Sequence, residues 1–338
     1  MKVYEVGGCV RDELMGVEPK DRDWVVVNSS PAEMEQKGFK PIGKDFPVFL
    51  HPKTKEEYAL ARTEKKSGTG YKDFTFYFDS NVTLVEDLQR RDLTINAMAK
   101  DSNGNIVDPY GGKEDIKNKC FRHTSDAFSE DPLRALRLAR FSTYEHLKEF
   151  QVANETVELL NEIVNSGELS SLSADRVWME TFKAISEPGT NRFFETLLEH
   201  NLLEPWFVGL NQVSIDGMRP EYKWAELQRV NKFQICAELP VPNTFKKVIE
   251  LYKVVLKLMS SSVSTEKIQL IEKLNIPRNN DDLEELFKLK ELAQCKEEWA
   301  LISNAVLGID FTQLVNFKGN AVSEKKQFLY HEALKLIL

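Results

Sequence analysis

The sequence is poor in cysteine: Cys9, Cys120, Cys236 and Cys295 are scattered through 338 residues, with no Cys-x-x-Cys pair among them. That spacing excludes a zinc ribbon and argues against a disulfide framework, leaving each cysteine as a small buried hydrophobe. Long apolar runs are absent too. No stretch approaches the roughly 18 uninterrupted apolar residues of a membrane span. The start, Met1-Lys2-Val3-Tyr4-Glu5-Val6, lacks the apolar core of a signal peptide and reads as a strand. A cytoplasmic protein with no membrane association is expected. Positive charge is not in excess: 45 Lys and Arg stand against 53 Asp and Glu, a formal net charge of −8. That balance does not favour nucleic acid as a partner, but phosphate contacts depend on local basic patches, so it does not exclude one.

The length suffices for two or more packed modules. Over the first 125 residues, short runs rich in β-branched and aromatic residues alternate with turns. Residues 2–6, 24–27, 48–50, 57–61 and 74–78 read as strands, and Asn103-Gly104-Asn105 as a hairpin turn before Ile106-Val107. From Asp126 onward the apolar residues recur at helical spacing, as in Leu133, Leu136, Ala139 and in Val157, Leu160, Ile163, Val164. Ser173-Ala174-Asp175-Arg176 opens a further helix and Asn191 another. Helices are also predicted over 245–259, 265–274 and 281–293, and from 323. The fold class read from this pattern is α+β. A head with a mixed or antiparallel sheet spans 1–125, a helical neck 126–210, and a helical body and tail 211–338, the helices forming an elongated arm.

Asp21 and Asp23 stand two apart at the mouth of the strand Trp24-Val25-Val26-Val27. Period two places both carboxylates on one face, and together they form a hard-oxygen site suited to Mg²⁺. Two ions about 3.5–4 Å apart would polarise an attacking hydroxyl and neutralise a leaving pyrophosphate. Taken alone, Asp-Arg-Asp also reads as a solvated turn. The preceding segment separates the two readings. Gly7-Gly8 ends a strand and precedes a helix over 9–15 with Gly16 as its stop. A glycine pair there lets backbone N–H groups approach a triphosphate, and Arg11 adds a charged fork.

Gly7-Gly8-Cys9-Val10-Arg11-Asp12-Glu13-Leu14-Met15-Gly16 through Asp21-Arg22-Asp23 resembles the signature of the class II tRNA nucleotidyltransferase and poly(A) polymerase family. Lys20-Asp21-Arg22-Asp23-Trp24-Val25-Val26-Val27 and Arg62-Thr63-Glu64-Lys65-Lys66-Ser67-Gly68 are similar to its bacterial CCA-adding branch. The resemblance is close over residues 1 to 200 and weaker beyond. It implies a polymerase-β-like nucleotidyltransferase head. It also implies Asp21 and Asp23 as catalytic metal ligands, Mg²⁺ as cofactor, CTP and ATP as substrates, and tRNA as partner through its acceptor stem and elbow. Arg90-Arg91-Asp92-Leu93-Thr94-Ile95-Asn96 resembles the second family motif. There Asp92 can accept from a ribose hydroxyl, Arg91 can reach phosphate or sugar, and Asn96 can bond backbone or sugar. Asp108-Pro109-Tyr110-Gly111-Gly112 resembles the third motif and is taken as structural.

Glu130-Asp131-Pro132-Leu133-Arg134-Ala135-Leu136-Arg137-Leu138-Ala139-Arg140-Phe141 reads as one helix. At about 100° per residue, Asp131 shares a face with Arg134, and Arg134 with Arg137. A carboxylate beside a guanidinium can read a base. The first accepts the exocyclic amine of C or A, the second donates to the ring nitrogen, and U or G leaves buried polar groups unpaired. The resemblance assigns this role to Asp131 and Arg134, and further nucleotide contacts to Gly8, Arg11, Arg91, Arg137 and Arg140. An intrahelical ion pair on a solvated face is the plainer alternative.

The polar stretch Lys65-Lys66-Ser67-Gly68-Thr69-Gly70 matches a family loop needed to switch from C to A addition. None of the five histidines precedes an aspartate, so the His-Asp phosphohydrolase module of longer relatives is expected to be missing. Lys232, Lys246, Lys247, Lys253 and Lys257 are candidates for tRNA phosphate. A monomer is expected. Two other readings stay open: a poly(A) polymerase of the same family, and a catalytically inactive tRNA-binding protein.

Overall fold

In the computed structural model, residues 1–42, 48–66, 74–77 and 80–338 are described; the 67–70 part of the switching loop lies outside them. The chain divides into two compact units, one of residues 1–211 and 236–239, the other of 212–235 and 240–338.

The first unit begins with β1 (Lys2–Val6), α1 (Gly8–Leu14), β2 (Asp23–Val27), α2 (Pro31–Gln36), β3 (Lys40–Ile42), β4 (Val48–Leu50) and β5 (Glu57–Leu60). A hairpin of β6 (Thr63–Lys66) and β7 (Phe74–Tyr77) and then α3 (Leu84–Gln89), β8 (Ala99–Lys100) and β9 (Ile106–Val107) follow. Seven strands form one mixed sheet in the order β3-β4-β5-β2-β1-β8-β9. The β2–β5 pairing is parallel; β1 runs antiparallel to both β2 and β8. The run Val25-Val26-Val27 is continuous rather than alternating because both faces of β2 are covered. Val25 and Val27 pack with Val6, Leu88 and Ala99 on one side, and Val26 with Met34, Phe49 and Leu60 on the other. Gly7, at φ 81, turns the chain from β1 into α1, a conformation open to glycine.

Helix α4 (Gly112–Lys117) is capped by Asp108, whose carboxylate accepts from the Gly112 and Lys113 N–H groups at 2.7 and 2.9 Å. A Cβ at Gly112 would lie 2.4 Å from the Thr94 carbonyl oxygen, so α4 sits flush against the 3-10 turn Thr94–Asn96. The unit continues with β10 (Cys120–Phe121), α5 (Leu133–Phe141), β11 (Gln151–Val152), α6 (Asn154–Ser166), α7 (Ala174–Ser186) and α8 (Thr190–Glu199). Helix α5 packs against α7 and α8. Ser173 caps α7 as read from the sequence, its hydroxyl accepting from Arg176 N–H.

The expected helix over 130–141 starts later. Pro132 forces the residue before it out of the helical region; Asp131 is extended at φ −117, ψ 100, and α5 begins at Leu133.

The second unit is helical: α9 (Pro220–Val230), α10 (Asn243–Ser260), α11 (Ser264–Leu274), α12 (Ile276–Leu286), α13 (Lys296–Leu307) and α14 (Asn320–Leu334). They enclose a core that includes Tyr252, Val255, Ile271, Leu283, Trp299 and Leu334, with Phe287 and Trp299 stacked at 4.5 Å. The helix expected over 281–293 is instead α12. Asn275, at φ 47, closes α11, and Pro277 in the next turn starts α12. No helix among the described residues is long and apolar enough to cross a membrane.

Candidate active site

One cleft of about 800 Å³ in the first unit collects the ten metal and nucleotide candidates read from the sequence: Gly8, Arg11, Asp21, Asp23, Arg91, Asp92, Asp131, Arg134, Arg137 and Arg140.

Asp23 is the first residue of β2, paired with Val6, and Asp21 lies just outside the strand. Period two therefore describes their placement only in part, yet both line the cleft. Neither carboxylate is taken up by a hydrogen bond or ion pair among the described residues. Burial, with Asp21 adding to it, raises the Asp23 carboxyl above its ordinary value against the pull of Arg91 and Arg137. Two hard oxygen ligands side by side, the Asp23 carboxylate made more basic in this way, suit a divalent cation. Among the described residues no group of three or more His, Cys, Asp and Glu side chains converges as a metal cage. One or two carboxylates completed by substrate phosphate oxygens is the donor set Mg²⁺ accepts.

The rest of the cleft is held by paired charges. Arg11 is 3% exposed. Its Nη1 donates to Asn96 Oδ1 at 2.7 Å and its Nε to Asp12 Oδ1 at 2.8 Å, while its guanidinium lies over the Phe141 and Tyr144 rings. Burial would push the Asp12 carboxyl up, but His146, 3.0 Å away, and Arg11 outweigh it and hold it low. Arg91 reaches Asp87 at 3.4 Å and stands over the glycine turn, since a Cβ on Gly7 would meet Arg91 Nη1 at 2.9 Å.

Asp92 is buried. Its Oδ1 accepts from the Leu93 N–H at 2.9 Å and Asn96 Nδ2 at 3.0 Å. Its Oδ2 accepts from Arg137 Nε at 2.8 Å and pairs with Nη2 at 2.7 Å. These four donors fill the acceptor capacity of a carboxylate, so a ribose hydroxyl would have to displace one. Burial opposes the charge, but Arg137 and the hydrogen bonds prevail and hold the carboxyl far below its usual range.

Asp131 and Arg134 both line the cleft but do not share a helix face as expected. With Asp131 outside the helix, its Oδ1 caps the Leu133 N–H at 3.2 Å, and its carboxylate pairs with Arg176 of α7 at 3.0 Å. Arg134 donates to the Ala127 and Arg90 carbonyls at 2.8 and 2.7 Å. The plainer intrahelical ion pair is absent for the same reason. Arg140 turns from Asp131 as expected, with Nε donating to Glu180 Oε2 at 2.5 Å and the guanidinium stacked 4.5 Å over Phe141.

Sequence reading missed Arg176 and Glu180. The signal was a charge on the apolar stripe of α7: Glu180 falls between Val177 and Ala184 at helical spacing, and a charge there requires a partner. Lys20 Nζ to Glu187 Oε1, at 3.0 Å across 167 residues, left no signal. In the second unit, Lys247, Lys253 and Lys257 pair with Asp282, Glu250 and Glu266.

The poly A polymerase head domain family matches residues 3–122, and a family described as a probable RNA and SrmB-binding site of polymerase A matches 149–213. The chain is 56% identical over 207 residues to the multifunctional CCA protein of Haemophilus influenzae, covering 61% of this chain and 50% of that protein. It is 56% identical over 224 residues to the protein of the same name from Pseudoalteromonas atlantica, covering 66% and 55%. The chain thus spans about half the length of the curated relatives it matches. Among solved structures, a CCA-adding enzyme in an apo form shares the fold at a TM-score of 0.70 and 20% identity, covering 98% of this chain and 88% of that one. By these matches residues 3–122 are a poly A polymerase head domain, in a chain similar to multifunctional CCA proteins.

Proposed function

We propose that this protein is a CCA-adding tRNA nucleotidyltransferase of the cytoplasm, which builds or repairs the tRNA 3′ end from CTP and ATP without a nucleic acid template. The observation that carries the reading is the cleft lined by two carboxylates that have no side-chain partner among the described residues, together with the glycine turn and a set of fixed arginines. Asp21 and Asp23 would hold Mg²⁺, which when bound supplies polarisation of the tRNA 3′ hydroxyl and neutralisation of the leaving pyrophosphate. Gly8 and Arg11 receive the triphosphate. Arg91 and Arg137 contact phosphate and sugar, Arg137 held in aim by Asp92. Asp131 and Arg134 present an acceptor and a donor to the base, Asp131 steadied by Arg176 and Arg134 by the two carbonyls, and Arg140 is fixed by Glu180. A base edge that matches must replace these resting contacts with equivalent ones; uracil or guanine cannot. The helical second unit is assigned to the tRNA elbow.

The test is incorporation into tRNA truncated just before its CCA, with CTP, ATP, UTP and GTP supplied singly and together and the products sequenced. Two C and one A are expected. Runs of A from ATP alone would favour a poly(A) polymerase, and binding without incorporation an inactive tRNA-binding protein.

A further inference from the structure

Behind the two carboxylates lies a closed ring of four charges. Arg22, the residue between Asp21 and Asp23, sends Nη1 to Glu5 Oε1 at 2.5 Å and to Glu13 Oε1 at 2.8 Å. Lys100 Nζ takes the other oxygen of each acid, Glu13 Oε2 at 2.5 Å and Glu5 Oε2. Each cation bridges both anions. The four residues come from β1, α1, the approach to β2, and β8. Glu5 keeps 9% of its side chain exposed and Arg22 33%, which sets the ring apart from a pair of solvated surface charges.

Arg22 does not line the cleft, whereas the residues on either side of it do. The strand ladder begins at Asp23 and does not reach Asp21. The side chain of Arg22, anchored on the far side, is therefore a tie on the backbone carrying Asp21, more buried than the Lys20–Glu187 pair on the other flank. The ring holds two charges of each sign, so this guanidinium stands one residue from both carboxylates without adding net positive charge that would repel a cation.

We propose that Arg22 is a positioning residue for the divalent-cation site of Asp21 and Asp23, held in that role by Glu5 and Glu13; this rests on the reading of the carboxylates given above. Lys100 shares the same two acids but stands on β8, away from the pair, and is the internal control.

The experiment is Mn²⁺ titration of the full chain followed by electron paramagnetic resonance, without nucleotide, alongside thermal unfolding. The Asp21→Ala, Asp23→Ala double variant sets the zero. Arg22→Met is expected to weaken Mn²⁺ binding about tenfold, the low end for loss of a residue supporting metal ligands, with Arg22→Lys recovering most of it. Lys100→Met is expected to stay within about twofold of wild type, since it supports no ligand directly. In turnover, Arg22→Met should lower kcat at limiting metal and leave KM for tRNA unchanged. Equal losses in Arg22→Met and Lys100→Met, or none in Arg22→Met, would overturn the proposal and leave the carboxylate reading standing. Wild-type binding that survives the double variant would sink the carboxylate reading and the proposal with it. If Arg22→Met does not fold, Glu13→Gln, which removes one of the two anchors, carries the comparison with an expected loss of about threefold; no loss there overturns the proposal.

Discussion

The two ends of the cleft treat their charges in opposite ways. At the end proposed for sugar and base the charges come in pairs: Asp92 with Arg137, Asp131 with Arg176, Arg140 with Glu180. At the other end Asp21 and Asp23 have no side-chain partner among the described residues. One residue type is driven in two directions within a single cavity. Burial raises Asp23, while Asp92, which burial also opposes, is pulled down by Arg137 and its hydrogen bonds. Recognition of a base or sugar needs donors fixed in direction, and a buried charge keeps its direction only when it is paired. A cation ligand needs the reverse, oxygen atoms left unclaimed until the cation arrives.

The largest break in this contrast comes from Asp21→Ala or Asp23→Ala. Loss of several kcal/mol of charge stabilisation should cut incorporation by about 10³-fold or more, while tRNA binding measured by filter retention persists. Near-normal activity in either variant would remove the cation reading.

Next is Asp92→Asn, which attacks the paired end. It should cost about 2 kcal/mol in urea unfolding at neutral pH, less than a fully buried pair because Arg137 keeps about a third of its side chain in solvent. The sign with pH follows from the lowered carboxyl. Its contribution is complete above the unfolded value of about 3.9 and is lost as pH falls towards the lower folded value. The gap between wild type and variant should narrow below about pH 4; a gap undiminished in strong acid would place its origin elsewhere.

Asp131→Ala should loosen selection against UTP. Arg176→Met, which frees the same carboxylate without removing it, should loosen it by a smaller factor of about ten. Unchanged selectivity in both would mean that the base is read elsewhere. The smallest effect is expected from Lys20→Met, because its pair with Glu187 leaves Lys20 80% exposed. Less than about 1 kcal/mol of stability is a shift of at most a few degrees in Tm.

The head was legible because its strands carry their own boundaries: the valine run at 25–27 marks a strand covered on both faces, and Gly7 and Gly16 punctuate α1. All ten candidate residues meet in one cleft because motif spacing encodes the strand–turn–helix units that carry them. Partnership was not legible. Asp131 was read as helical although Pro132 follows it, and the rule that a residue before proline leaves the helical region would have corrected this. Arg176 and Glu180 left only the trace of charges on a buried stripe. The ring of Glu5, Glu13, Arg22 and Lys100 spans four segments, and pairings of that kind are set by tertiary approach, which no local pattern records.

Gly112 bears on how mutants of this protein would be interpreted. A random screen scored by loss of the proposed activity would return position 112 beside the arginines, although the residue does not border the cleft. Even alanine there would drive the turn holding Thr94 and Asn96 away from α4, and through Asn96 would disturb both Arg11 and Asp92. Such a mutant would mimic a defect in ligand contact while touching no ligand, so genetics alone would draw the boundary of the site one shell too wide.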